Sequence, residues 1–219
     1  MASEDDFTRE PLKVLVFSAS MREQSLNTRL ARLAAAALEA TGVEVDFATM
    51  EQFDCPSYDG DIEDTQGIPE GAAELHRRIN GTDGFVIVSP EYNASMPGAL
   101  KNAIDWTSRH RPQPFHEHHC LLLSASPSMS GGNRGLWALR MPLEHLGTRV
   151  YPDMFSLAQA HSAIDADGKL TVPVLQERLE QTVAAWADLV EASKHYPCAK
   201  ARWVEFLGEE PVPVIDRVE

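Results

Sequence analysis

Residues 12–27 read Leu12-Lys13-Val14-Leu15-Val16-Phe17-Ser18-Ala19-Ser20-Met21-Arg22-Glu23-Gln24-Ser25-Leu26-Asn27, and this stretch decides the fold. The first six are apolar apart from Lys13 and include the β-branched Val14 and Val16, the signature of a strand buried on both faces of a parallel sheet. A polar loop follows. Then Leu26, Leu30, Leu33, Ala37 and Leu38 recur at helical spacing until Gly42. A strand, a polar loop and an amphipathic helix form the opening half of a βαβ unit.

The same alternation continues outward. Val43–Phe47 reads as a second strand, 54–69 as a Pro/Asp-rich loop, 70–80 as a helix and Gly84–Ser89 as a third strand. A helix over Gly98–Ser108, a strand at Cys120–Ser124, a helix over Gly132–Leu146, a short strand at Thr148–Tyr151 and a long helix at Val174–Ser193 complete it. Five such units predict one α/β, doubly wound domain with a parallel sheet over residues 12–195. Residues 1–11 read as a polar arm, and 196–219, with Pro197, Pro211 and Pro213, as an extension.

The composition limits the partners. Lys and Arg number 19 against 33 Asp and Glu, a net charge of −14. A surface that negative repels nucleic-acid and anionic-lipid phosphates. No apolar run has the length of a membrane helix, and the acidic start does not resemble a secretory signal. Cys55, Cys120 and Cys198 are too few and too scattered for a disulfide framework or a shared zinc site. The expectation is a soluble cytoplasmic protein.

In open α/β sheets ligands bind beyond the carboxyl ends of the strands, and three loops there are unusual. The first, Ser18–Asn27, places Ser20, Met21, Arg22, Ser25, Leu26 and Asn27 at a helix N-terminus, whose free N–H groups favour an anion such as phosphate. Arg22 offers a fork of donors. The plainer alternative is that Ser25 or Asn27 merely caps the helix. The second loop, Ser89-Pro90-Glu91-Tyr92-Asn93-Ala94-Ser95-Met96-Pro97-Gly98, is stiffened by two prolines and presents Tyr92 and Asn93, though it could be an ordinary rigid turn. The third, Ser124-Ala125-Ser126-Pro127-Ser128-Met129-Ser130-Gly131-Gly132, allows close backbone approach or is a simple connector. Neither a dinucleotide nor a triphosphate glycine fingerprint is present.

Together the loops resemble the NADPH-dependent FMN reductases. Arg22 with Ser20, Ser25 and Asn27 is similar to that family's Gly-Ser-Leu-Arg-x-x-Ser-x-Asn loop, with Ala19 where glycine is usual. Pro90-Glu91-Tyr92-Asn93, then Ser95, Pro97-Gly98 and Leu100-Lys101-Asn102-Ala103-Ile104-Asp105-Trp106 follow its second signature nearly letter for letter. Gly131-Gly132-Asn133-Arg134 is similar to its Gly-Gly-x-Arg segment. The resemblance runs from Leu12 to Ser193. It implies a flavodoxin-like fold with strand order 2-1-3-4-5, and FMN held non-covalently with its phosphate on Ser20–Asn27. Pro90, Glu91, Tyr92 and Asn93 would edge the ring, and Ser126 would border it from the third loop. It further implies NADPH or NADH as hydride donor, a small-molecule electron acceptor, no dedicated catalytic side chain, and a homodimer or homotetramer. A non-catalytic flavodoxin-like electron carrier is the rival, although classical flavodoxins use a Thr-rich phosphate loop. A flavin-free member with surviving loops is a third reading.

Other features take plainer readings. His116-Glu117-His118-His119-Cys120 suggests a metal, but strand alternation should set His118 and Cys120 against His119, so a surface turn is the default. The acidic run Asp59–Asp64 lacks calcium-loop spacing and reads as a solvated loop. Trp106, at the end of an amphipathic helix, reads as a packing residue, with a subunit interface as one place for it. Met96, Met129 and Met141 could face an acceptor, but the plainer reading is core or surface filler. In the extension, Trp203, Phe206 and Leu207 suit a tail that wraps a neighbouring subunit.

Overall fold

The computed structural model describes residues 10–165 and 168–195. The polar arm up to residue 9 and the extension from 196, with its aromatic tail residues and Cys198, lie outside them. The sequence runs β1 (Lys13–Ser18), α1 (Leu26–Glu39), β2 (Glu44–Thr49), a 3-10 turn (Met50–Phe53), α2 (Gly60–Gln66), α3 (Glu70–Asn80), β3 (Gly84–Val88) and α4 (Gly98–Thr107). It continues with β4 (His119–Ala125), α5 (Asn133–His145), β5 (Arg149–Val150), β6 (Phe155–Leu157), α6 (Ala160–Ala163) and α7 (Pro173–His195). Every strand pairing is parallel, in the order β2-β1-β3-β4-β5 with β6 also on β4. The expected order 2-1-3-4-5 is therefore present. No helix among the described residues is long and apolar enough to cross a membrane.

Why the strand sequences are continuously apolar is plain from the two layers they separate. Val14, Val16, Val86, Val88, Leu121 and Leu123 pack with Leu30, Ala34, Leu38, Leu179, Val183 and Trp186 of α1 and α7. Their alternates Leu15, Phe17, Phe85, Ile87, Cys120 and Leu122 pack with Leu75, Ile79, Leu100, Ile104, Leu136 and Leu139 of α3, α4 and α5. Period-two alternation serves two apolar faces at once, so no polar residue is needed in between.

Two features depart from the sequence reading, and a third decides between its alternatives. The fifth strand is split. β5 pairs with the start of β4, His119↔Arg149 and Cys120↔Val150, and β6 with its end, Leu123↔Phe155 to Ala125↔Leu157. Between them stands Pro152, which has no N–H for a ladder. The 54–69 segment is not all loop, because Asp59 caps the seven-residue α2, its carboxylate accepting from Asp61 N–H at 2.9 Å. α2 buries none of its own residues, so it carries no apolar periodicity to read. It is held instead by Glu63, which accepts from Tyr58 Oη at 2.9 Å and pairs with Arg109. Finally, Trp106 is fully buried within the chain, its indole N–H donating to Pro56 O at 2.8 Å and its ring edge-on to Tyr58. It is a packing residue of the monomer rather than of an interface.

α3 presses on the 3-10 turn at Gly71, where a Cβ would lie 2.2 Å from Asp54 O and 2.8 Å from Phe53 C. Backbone cannot yield cheaply. Gly71→Ala is expected to destabilise the fold by about 1–3 kcal/mol. Gly60→Ala, where nothing lies within 4 Å, should be neutral or gain up to about 1 kcal/mol. Urea unfolding of the pair checks this, and equal midpoints would refute it.

Candidate cofactor site at the carboxyl ends of the strands

The three loops leave neighbouring strands of one sheet, so register alone brings them together. Ser18 pairs with Val88 and Val88 with Leu123. The ladder extends one residue further, Ala19 N–H donating to Val88 O and Ser89 N–H to Leu123 O, both at 2.9 Å.

In the first loop Ser25 is the N-cap of α1, its hydroxyl accepting from the N–H groups of Asn27 and Thr28 at 3.1 and 3.4 Å. Ser20 accepts from Arg22 N–H at 3.3 Å. Both serines are buried, while Met21 and Arg22 are exposed. The N–H groups of Glu23, Gln24, Ser25 and Leu26 find no acceptor among the described residues, and the Arg22 guanidinium finds no carboxylate there. Unsatisfied amides at a helix N-terminus beside an unpaired guanidinium are the donor set that a phosphate needs. The residues present therefore fit the phosphate end of FMN.

Asn27 corrects the reading that its side chain faces phosphate. The residue is buried, and its carboxamide is committed to Ala125 98 residues away: Nδ2 donates to Ala125 O at 2.9 Å and Oδ1 accepts from Ala125 N–H at 2.9 Å. It fastens the first loop to the third. Thr28 adds a second tie, donating to the buried Ser18 hydroxyl at 2.9 Å.

The second loop is a tight mirror-image turn. Tyr92 and Ser95 exchange both backbone hydrogen bonds, at 2.9 and 3.0 Å, and the central Asn93 and Ala94 both have positive φ, 51° and 60°. Asn tolerates that region, whereas Ala94 costs about 1 kcal/mol there. The turn holds the Tyr92 ring 49% exposed, an apolar face open to stacking. Glu91 also departs from the expected role at the ring edge. Its carboxylate turns back under the loop, accepting from the N–H groups of Arg134 and Gly135 at 3.0 and 3.2 Å and from Arg134 Nε at 2.8 Å. It caps α5 and braces the turn. Sequence reading quoted both Glu91 and Arg134 but had no signal for a pair 43 residues apart.

The third loop reaches α5 through Gly132, whose φ is 85° and where a Cβ would lie 1.9 Å from Ser124 Oγ. Ser126 is half-buried, and its backbone is pinned by Leu157 O and Ala160 N–H. β6 and α6, absent from the sequence reading, are thus what position Ser126. Met21, Tyr92 and Met129, one on each loop, stand exposed on this open ledge. Two open hollows lie elsewhere, one of about 340 Å³ at the amino end of the sheet beside His118, His119 and Lys194, another of about 470 Å³ between the 3-10 turn and α3.

The histidine segment leads into β4 at that far end. His119 is buried and His118 half-buried, and desolvation lowers the pKa of both. No group of three or more His, Cys, Asp or Glu side chains among the described residues is arranged to hold a metal. Cys120 is fully buried, which pushes its thiol well above the ordinary range and keeps it from acting as a thiolate.

Burial opposes the charge on Glu91, but the Arg134 side chain and the Gly135 and Arg134 N–H groups outweigh it and hold its carboxyl below the ordinary 4.5. The brace is therefore at full strength above about pH 4.5 and is lost as the pH falls through the lower folded-state value. Glu91→Gln should cost about 1–2 kcal/mol at pH 7, and the gap from wild type should shrink below pH 4.5. Denaturation curves at pH 7 and pH 4 check this, and a gap independent of pH would refute it.

Comparison with known proteins agrees with this geometry. The family model described as NADPH-dependent FMN reductase matches residues 12–162. A quinone reductase of Escherichia coli (strain K12) is 39% identical over 141 residues, 64% of this chain and 74% of that protein. An NAD(P)H-dependent FMN reductase of Pseudomonas aeruginosa is 33% identical over 178 residues, 80% of this chain and 94% of that protein. Among solved structures, FerB, a flavoenzyme NAD(P)H:(acceptor) oxidoreductase from Paracoccus denitrificans, superposes with a TM-score of 0.71 at 30% identity, covering 82% of this chain and 97% of its own. By that match over most of its length, and with the sheet order to go with it, the chain belongs to the NADPH-dependent FMN reductase family.

Proposed function

We propose that the chain is an FMN-dependent NAD(P)H oxidoreductase that passes reducing equivalents to a small-molecule acceptor such as a quinone, a free flavin, an azo dye or an oxidised metal ion. The observation that carries this reading is the set of unsatisfied donors at Glu23–Leu26 beside Arg22, in the loop where the motif resemblance puts the cofactor phosphate.

When bound, FMN supplies the redox chemistry, a ring that takes up a hydride and gives it away again. The chain's own work is binding and orientation. Ser20, Arg22 and Ser25, with the amides of the first turn of α1, would grip the phosphate, and Met21 and Leu26 would flank it. Pro90, Tyr92 and Asn93 would edge the ring from one side and Ser126 from another. Asn27 and Glu91 act one step back, fastening the loops that carry those contacts. No side chain is needed as a nucleophile. NADPH or NADH and the acceptor would take turns on the same open ledge.

The resemblance further supports assembly as a homodimer or homotetramer in the cytoplasm. Trp137 and Met141, 58% and 75% exposed one turn apart on α5, are an apolar strip suited to such a contact.

The purified protein is expected to be yellow and to be bleached by NADPH or NADH without oxygen, with the colour restored by quinone. A yellow protein that neither nucleotide bleaches would instead be an electron carrier. Arg22→Ala should weaken FMN binding by roughly 10- to 100-fold through loss of a charge-assisted contact. Fluorescence titration of the apoprotein measures this, and an unchanged affinity would remove Arg22 from the phosphate site.

A further inference from the structure

The third loop contains a chain of hydroxyls that nothing in its backbone requires. Ser126 Oγ lies 3.0 Å from Ser128 Oγ, and Ser128 Oγ lies 2.9 Å from Ser130 Oγ. Ser128 N–H also donates to Ser126 Oγ at 3.2 Å. Other bonds also hold the backbone that carries the chain: Ser128 O accepts from Gly131 N–H at 3.3 Å and from Gln159 N–H at 3.2 Å. Gln159 itself stands at a φ of 48°.

Three hydroxyls joined by two hydrogen bonds have three hydrogens, so one is left over; two arrangements run head to tail along the chain, and in a third Ser128 accepts from both neighbours and turns its own hydrogen to solvent. In the first, Ser130 donates to Ser128 and Ser128 to Ser126. Both lone pairs of Ser126 are then filled, by Ser128 Oγ and Ser128 N–H, and its own O–H points outward as a donor. In the second, Ser126 donates to Ser128 and Ser128 to Ser130. Ser126 then keeps one lone pair facing outward as an acceptor. Each state satisfies Ser126 completely once a ligand of matching polarity is present, and the two differ only by rotation about three C–O bonds. Within the chain each bond polarises the next, so the outward group is stronger than an isolated serine.

A flavin presents this choice. Oxidised, its reducible ring edge carries an acceptor nitrogen; reduced, it carries an N–H donor. We propose that Ser128 and Ser130 are positioning residues that let Ser126 donate to oxidised FMN and accept from reduced FMN, the chain reversing when the redox state changes. This rests on the reading that Ser126 borders the ring. In the reduction itself the dihydronicotinamide C–H bond breaks, a flavin N–H bond forms, and two electrons and one proton move together as hydride. The nicotinamide is oxidised and the flavin reduced, and the serines turn their hydrogens without giving any up.

The test is the affinity of the full-length apoprotein for FMN in each oxidation state, from titrations with oxidised FMN in air and with dithionite-reduced FMN without oxygen, for wild type, Ser126→Ala, Ser128→Ala and Ser128→Thr. Ser128 is exposed, so neither of its substitutions threatens the fold. Ser128→Ala is expected to weaken both states by a similar factor, about 3- to 10-fold, and Ser128→Thr, which restores the hydroxyl, to recover most of it. Loss confined to oxidised FMN would mean a fixed donor and would overturn the reversal. Ser126→Ala weakening FMN while Ser128→Ala leaves it unchanged would overturn the chain but keep the site. If Ser126→Ala also has no effect in either state, the placement of the ring beside Ser126 fails.

Discussion

The clasp between Asn27 and the backbone of Ala125 is the interaction on which the rest of the ligand-binding end depends. Parallel strands end in unpaired carbonyl and amide groups, and β3 separates β1 from β4, so no ladder bond joins the first loop to the third. One buried carboxamide satisfies both backbone groups of Ala125 with two 2.9 Å bonds. It thereby joins the first turn of α1 to the end of β4 across the top of the sheet. Glu91 plays the matching part on the other side, joining the second loop to α5. Polar residues in a dry setting are costly unless every group is paired. Here they are paired across distant segments, and that makes the loops a single rigid ledge.

Rigidity of that kind suits a protein whose reaction is performed by a bound ring. The ledge has to offer fixed donors, fixed apolar edges and room for two successive visitors, and little else. The overall charge of −14 looks hostile to an anionic cofactor, yet long-range repulsion is screened over about 8 Å at physiological salt. Within that radius the local amides and Arg22 act at contact distance. Excess acid elsewhere leaves the affinity of one small phosphate to a handful of N–H groups, and it keeps extended polyanions away.

How much of this was legible in the sequence follows from the range of each signal. The six-residue apolar runs and the leucine spacing of α1 are local and unambiguous, so the sheet and its main helices could be read with boundaries good to a few residues. The loop motifs were equally readable as residue types. Direction was not. Asn27 and Glu91 stand in motifs that point to a ligand, but both side chains turn inward to partners 98 and 43 residues away. α2 was missed because a helix that buries nothing has no periodicity, although Asp59 before it and Gly67 after it are ordinary cap residues. β6 was missed because three residues after a proline do not make a pattern, and with it went the support of Ser126.

The interrupted outer edge at Tyr151–Met154 has a consequence for solution behaviour. A long unbroken outer strand would present a ladder of free amides and carbonyls to any other copy of the sheet. Here that flank offers two residues, then a gap at Pro152, then three more. The opposite flank, β2, carries the charged Glu44 and Asp46. Interruption on one flank and inserted charge on the other both disfavour a continuous strand between copies.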